Sequence, residues 1–193
     1  QHWSSAASDV YKRQVFEELV AEDMGIVKFS DLMKQSMAKY YPRQFYIFGD
    51  PAGDHRVQTD ESTPFQILRG KGITARPAPS NDVTLRIESV ATCLNRMVDG
   101  ESGILIDKSC VNLLRGFAGG YHYRRLQVSG ERYDERPNKN RFSHIHDALQ
   151  YLLLGAGEGR SLTAGNKYSK PIIAKRNFNV FNVKPKNIYE RRR

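Results

Sequence analysis

The 193-residue chain has few cysteines and no long hydrophobic run. No apolar stretch approaches the roughly 18 residues that a membrane-spanning helix requires, so a transmembrane protein is not expected. Cys93 and Cys110 are too few for a disulfide scaffold and form no CxxC pair for a zinc ribbon, which favours a reduced cytoplasmic setting. With 39% hydrophobic and 26% charged residues, the composition excludes a disordered chain and predicts one folded domain.

A phosphate-binding loop is also lacking. The pattern GxxxxGKS or GxxxxGKT occurs nowhere, and GRSLTAGNK at Gly159–Lys167 has the wrong spacing. The chain is therefore not expected to bind ATP as a motor protein does.

Positive charge is present, but it is concentrated at the C-terminal end. The whole chain carries a net charge of +9, and residues 156–193 alone contribute +8 of it. The body is therefore almost neutral, and residues 156–193 are interpreted as a basic tail. Its interleaved aromatic residues suit DNA or an acidic protein surface, and a tail kept for solubility is the alternative.

The first residues look foreign to the rest of the chain. SSAASDVYKRQ at Ser4–Gln14 equals the in-frame translation of a transposase-type sequencing adapter, codon for codon. Residues 1–14 are therefore interpreted as an artefactual, disordered N-terminus and set apart from the fold. The natural protein is then expected to begin upstream of Val15.

Between residues 15 and 155, apolar runs typical of strands alternate with segments of helical periodicity. This alternation predicts an α/β fold with a central sheet flanked by helices. The expected strands are 15–21, 45–49, 73–76, 103–107 and 121–128, with one more at 178–183. The expected helices are 26–41, 63–70, 81–98, 109–117 and one that Ser143 caps and that ends at Gly155.

Four residues in this pattern have chemical potential. Asp50 and Asp107 each end an apolar strand, and His144 and Asp147 lie three residues apart on one predicted helix. Carboxylates at a strand end and on a helix are suitable ligands for hard divalent cations. Spacing alone leaves the simpler alternatives open, because a strand-end Asp is commonly a turn residue and His144 need have no catalytic role.

Three segments resemble the nuclease domain of the large terminase subunit of tailed bacteriophages. They are FYIFGDPAGDHRVQTDESTPFQILRGKGI, GILIDKSCVNLLRGFAGGYHYRR and PNKNRFSHIHDALQYLLLG, and the likeness covers about residues 15–155. The resemblance implies a ribonuclease-H-like mixed sheet flanked by helices, with the first strands missing here. It also implies a metal-dependent endonuclease that cuts concatemeric viral DNA during packaging in the host cytoplasm.

The resemblance also assigns roles by position. Asp50 matches the family's second acid, Asp147 its helix-borne third acid and His144 the histidine one turn before it, with Asp50 and Asp147 as ligands to two Mg²⁺ or Mn²⁺ ions. The first acid would precede Val15, and Glu18 is a weak substitute for it. Asp107 matches a structural position. The implied partners are double-stranded viral DNA, the phage portal protein and the terminase small subunit, with no membrane.

Two alternatives remain at this point. The first is a transposase or junction resolvase with the same fold and metals. The second is a non-catalytic module that docks onto the portal or DNA. Lys139, Asn140 and Arg141 precede the Asp147 helix and are candidates for contacts with the DNA backbone, although a solvated charged loop is the simpler interpretation.

Overall fold

The computed structural model describes residues 12–54, 62–126 and 133–159. Five helices and eight short strands alternate along these ranges. The helices are α1 Ile26–Ala38, α2 Pro64–Gly70, α3 Val83–Asn95, α4 Val111–Arg115 and α5 Ser143–Gly155. The strands are β1 Arg13–Val15, β2 Ile47–Gly49, β3 Ala75–Pro77, β4 Met97–Val98, β5 Glu101–Ser102, β6 Ile104–Ile106, β7 Tyr123–Arg125 and β8 Tyr133–Pro137. A 3₁₀ turn, Pro51–Asp54, and a π turn, Gly116–Gly120, complete the described elements.

The strands of the described ranges form four separate pairs. β1 pairs with β6 and β2 with β3, both parallel, whereas β4 with β5 and β7 with β8 are antiparallel. The parallel pair β2–β3 is joined through α2, as parallel strands require a crossover connection. The mixed α/β class is thereby confirmed. One continuous central sheet, which the sequence analysis expected, is not formed by these residues.

Two hydrophobic clusters hold the elements together. The first lies between β1, β6 and helices α3, α4 and α5. The second lies between α1, α2 and the β2–β3 pair. The buried members of the first are Val90, Cys93, Ile104, Cys110, Leu113, Leu149 and Leu153, and those of the second are Phe65, Leu68, Ile73 and Ala75.

Helix α5 connects the two clusters. Its inner face belongs to the first cluster, and its last residue, Gly155, lies against the aromatic ring of Phe48 in β2. A side chain at position 155 would overlap that ring. The small residue at the end of α5 therefore permits β2 to approach the helix.

The helix boundaries differ from expectation at α3 and α5. The expected helix 81–98 ends at Asn95, because Asp99 and Gly100 both adopt positive φ and form a tight turn between β4 and β5. Ser143 was expected to cap α5 but is its first helical residue. Asn140 instead organises this start, since its side-chain oxygen accepts from the Phe142 N–H at 2.9 Å and its carbonyl accepts from the Ser143 hydroxyl at 2.7 Å.

The N-terminal segment also differs from expectation. Arg13 and Gln14 belong to β1 and pair with Ile104 and Leu105, although residues 1–14 were set apart as disordered. The expected strand at 15–21 is therefore displaced toward the N-terminus. Residues 1–11 lie outside the described ranges, as do residues 127–128 of the expected strand 121–128 and the strand expected at 178–183.

The two carboxylates that follow β1 anchor it to the helices. Glu17 accepts from the Lys39 ammonium at 2.7 Å and from the Tyr40 hydroxyl at 2.6 Å, and these contacts lower the pKa of Glu17 to about 2. Glu18 accepts from the backbone N–H groups of Asn112 and Leu113 at 2.8 and 3.0 Å. Glu18 therefore caps the start of α4.

Glu158 is a buried carboxylate just beyond α5. Its side chain is 6% exposed and pairs with Arg13 of β1, at 2.8 Å, and with Arg96 at the end of α3. Burial opposes ionisation of Glu158, but the hydrogen bonds and charges of Arg96 and Arg13 outweigh it and lower the pKa of this carboxyl. The folded body therefore extends past the boundary at Gly155 that the sequence analysis placed between domain and tail.

None of the helices in the described ranges is both long and apolar enough to cross a membrane.

Replacing Glu158 tests its structural role. We expect Glu158→Gln to lower the free energy of unfolding by about 1.5–3 kcal/mol, because two guanidinium groups lose a buried anionic partner. Since the pKa of Glu158 is lowered in the folded state, its contribution is present above the ordinary pKa of about 4.5 and is lost as the pH falls through the folded-state pKa. Urea unfolding between pH 3 and 7 measures both effects.

Glu101→Gln is the matched control, because Glu101 pairs with Lys12 at 2.8 Å but is largely exposed. We expect little change in stability from this variant. Equal effects of the two substitutions would contradict the role assigned to Glu158.

Candidate functional site

A polar cleft of about 690 Å³ lies between the start of α3, the side of α5 that carries Asp147 and the β7–β8 ribbon. Asp50 and Asp147 both line it, so the structure brings these two sequence-predicted residues to one site. The charged residues that line the cleft are five acids, Asp50, Asp82, Glu88, Glu135 and Asp147, and three bases, Arg86, Arg136 and Lys139.

Asp147 lies on the side of α5 that faces α3. One carboxylate oxygen, Oδ1, is 3.5 Å from Nη1 of Arg86, and the other, Oδ2, accepts from Nζ of Lys139 at 2.6 Å. The Asp147 side chain is 15% exposed and that of Arg86 is 7% exposed, whereas that of Lys139 is 71% exposed. The carboxylate therefore has one fixed, buried cationic partner and one that is largely in solvent.

Asp50 immediately follows β2 and is exposed at the entrance of the cleft. Its Oδ1 accepts from the backbone N–H of Ala52 at 2.9 Å, and its carbonyl accepts from the Gly53 N–H at 2.8 Å. These bonds form the turn that follows the strand and fix the direction of the carboxylate.

Tyr151 also lines the cleft. Its hydroxyl donates to the Asn81 side chain at 2.7 Å, and the Arg86 guanidinium lies over its ring at 4.5 Å. Burial raises the pKa of Tyr151; the Arg86 charge opposes this shift, whereas hydrogen bonding and charge from Asp50, and the charge of Asp147, add to it. The phenol is therefore a neutral hydrogen-bonding group in the lining of the cleft.

His144 does not join them. It is exposed on the other side of α5, where it lines a separate apolar groove with Leu19, Met24 and Phe29. His144 and Asp147 were expected on one face of the helix, but they line two different surfaces. Residues three apart on a helix are separated by about 60° around its axis, and the boundary between cleft and groove falls within that angle.

His146, which the sequence analysis did not single out, is the buried histidine of this helix. Its ring stacks on Tyr121 with centroids 4.6 Å apart, and its Nε2 has no hydrogen-bond partner. Burial lowers the pKa of His146, so the ring is neutral. Gly116 lies directly against the imidazole, and a Cβ there would overlap it.

The other carboxylates considered from the sequence lie elsewhere. Glu18 is occupied as the cap of α4 and does not line the cleft, so it does not substitute for the expected first acid. Asp107 accepts from the Ser109 backbone N–H at 2.8 Å, and this bond lowers its pKa. Its position at a turn agrees with its omission from the catalytic residues.

Three side chains of the loop before α5 make three different contacts. Lys139 pairs with Asp147, Asn140 donates to the Gly120 carbonyl at 2.7 Å, and the Arg141 guanidinium lies 5.0 Å from the centre of the Phe142 ring. Of these three candidates for contacts with the DNA backbone, only Lys139 lines the cleft.

The donor groups of the cleft fit one hard divalent cation. Asp50 and Asp147 supply carboxylate oxygens, and Mg²⁺ is commonly held by one or two carboxylates together with substrate phosphate. Within the described ranges no group of three or more His, Cys, Asp or Glu side chains is arranged to hold a metal ion.

No family model, curated protein or solved structure matches this chain significantly.

We expect the ion pair of Arg86 with Asp147 to stabilise the folded protein. We expect Asp147→Asn to lower the free energy of unfolding by about 1–3 kcal/mol, because the buried Arg86 loses its anionic partner. Asp50→Asn should change stability little, since Asp50 is exposed and an asparagine oxygen can still accept from Ala52. Thermal and urea unfolding measure both, and a larger loss for Asp50→Asn would contradict this description of the cleft.

Proposed function

We propose that this chain contains part of the nuclease domain of a phage DNA-packaging terminase, which in its intact form is a metal-dependent endonuclease that cuts concatemeric viral DNA in the host cytoplasm. The observation that supports it is the position of Asp50 and Asp147 on one polar cleft, which is the pairing that the resemblance implied. A ribonuclease-H-like arrangement of the intact domain is part of the same proposal.

The described side chains account for how such a site would be held. Asp147 is fixed by α5 and Arg86, and Asp50 is fixed by the turn after β2. Rigid supports of this kind maintain carboxylates in a constant geometry. Two bound Mg²⁺ or Mn²⁺ ions would activate water and stabilise the leaving 3′ oxygen. His144 has no role in this proposal, because it lines the groove on the other side of α5.

The proposed partners are double-stranded viral DNA at the cleft and the portal protein and terminase small subunit elsewhere. Lys139 and Arg136 are the cationic groups of the cleft nearest to solvent and suit phosphate oxygens. The five acidic residues of the lining disfavour a polyanion unless cations neutralise them. DNA binding in the cleft should therefore depend on divalent ions.

A second function is supported by the state of Asp147. Both of its carboxylate oxygens face cationic side chains, and the described residues contain no three-ligand metal cluster. A module that binds DNA or the portal without cutting is consistent with these two observations.

Mn²⁺ binding distinguishes the two functions. We expect the chain to bind Mn²⁺ and both Asp50→Asn and Asp147→Asn to weaken it about tenfold or more, because each removes one of two carboxylate ligands. Asp107→Asn is the control, since Asp107 also follows a strand but lies outside the cleft. The free-Mn²⁺ signal in electron paramagnetic resonance measures the affinity. If the wild-type protein does not bind Mn²⁺, the result favours the non-catalytic module.

Plasmid cleavage with Mn²⁺ provides the activity measurement. We expect weak or no cleavage from this chain, because in the described ranges no group of three or more His, Cys, Asp or Glu side chains is arranged to hold a metal ion. Robust cleavage that Asp147→Asn abolishes would show that the site is complete without a further acid.

A truncation tests the role of the basic tail. A chain that ends after Gly155 loses the buried Glu158, whereas one that ends after Gly159 keeps it. We expect the Gly159 truncation to retain wild-type stability and Mn²⁺ affinity but to bind DNA or portal protein more weakly, with the DNA component falling steeply as salt rises. Unchanged binding to both partners would favour a tail that serves solubility.

A further inference from the structure

Lys139 and Arg86, the two cationic partners of Asp147, differ in their exposure to solvent. Its ammonium contacts Oδ2 at 2.6 Å, yet its side chain is 71% exposed. Arg86, in contrast, is held from below by the Tyr151 ring and is almost fully buried. Of the two partners, Lys139 is the one that can leave Asp147 without disturbing the packing of α3 on α5.

We propose that Lys139 is an exchangeable counter-ion, which occupies Asp147 when no divalent ion is bound and contacts a DNA phosphate when an ion takes its place. This inference rests on the proposed function, since it requires that Asp147 bind a divalent cation. Lys139 thereby links metal binding to phosphate binding within the one cleft.

Electrostatic repulsion favours the release of Lys139 from Asp147 when a divalent ion binds. A divalent ion on Asp147 and Asp50 competes with the Lys139 ammonium for Oδ2, because two cations cannot share one oxygen at contact distance without strong repulsion. Once displaced, Lys139 remains beside the cleft, where Arg136 is also exposed. The ion also reduces the negative charge of a lining that contains more acids than bases. Each of these changes favours an incoming phosphate.

Thermodynamic linkage makes the coupling reciprocal. If metal binding releases Lys139 for phosphate, then bound DNA that holds Lys139 must raise the affinity for the metal by the same factor. Removing the ammonium should therefore abolish the coupling and, in the absence of DNA, strengthen metal binding.

Lys139→Met is the test variant, and Arg141→Met is the matched control. Both residues are exposed cations of the loop before α5, but Arg141 lies over the Phe142 ring and does not line the cleft. Circular dichroism and urea unfolding establish that each variant is folded. Mn²⁺ affinity without DNA is measured by electron paramagnetic resonance. Affinity for a fluorescent duplex is measured by anisotropy with and without Mn²⁺, and a gel verifies that the duplex stays intact.

We expect Lys139→Met to bind Mn²⁺ about two- to fivefold more tightly than wild type, as loss of an exposed ion pair allows. The variant should also lose most of the gain in DNA affinity that Mn²⁺ gives the wild type. Arg141→Met should keep wild-type Mn²⁺ affinity and the Mn²⁺-dependent gain. Suppose that Mn²⁺ binding by the wild type requires Asp147 but that Lys139→Met binds Mn²⁺ no more tightly than the wild type. This result would overturn the exchange and leave the proposed metal site standing. Absence of Mn²⁺ binding in all three proteins would overturn both the exchange and the proposed metal site.

Discussion

The interaction on which the rest of the structure depends is the ion pair of the buried Glu158 with Arg13 and Arg96. It joins three parts of the chain that are distant in sequence: the first strand, the end of α3 and the segment after α5. A buried carboxylate needs such partners, so this pair favours the fold in which the three parts meet. The β1–β6 pair and the first hydrophobic cluster are completed at the same place.

Helix α5 serves both the core and the cleft. Leu149 and Leu153 bury its inner face in the first cluster, while Asp147 meets Arg86 beside the cleft. The position of the carboxylate is therefore set by hydrophobic packing, and its charge is balanced by a neighbouring helix. Tyr151, one turn further along α5, lies under the Arg86 guanidinium and lines the same cleft.

The sequence predicted the long helices well, because apolar residues at helical spacing bury one face. The helix ending at Gly155 and the helical starts near Ile26 and Thr63 agree with the structure. The Asp99–Gly100 turn was missed although Asp-Gly is a hairpin signal, because helical periodicity continued to Met97. The strand at Arg13, which pairs with Ile104, was missed because residues 1–14 had been set apart from the fold as an adapter translation.

For the cleft, the resemblance and not the spacing indicated that Asp50 and Asp147 belong together. The cationic partners of Asp147 were not predicted. Arg86 lies on the apolar side of α3 with Val90 and Cys93, so it could have been recognised as a buried cation that needs an anion. Glu158 was assigned to the tail because composition changes at Gly155, and composition does not report burial.

The packing of α5 also has a mechanical consequence. Asp147 lies in the second turn of α5, where it pairs with Arg86 of α3, and Gly155 at the end of the helix lies against Phe48 of β2. These two contacts are about 12 Å apart along the helix axis. Because a helix resists bending over so short a distance, the position of Asp147 is mechanically coupled to that of β2, the strand that Asp50 follows.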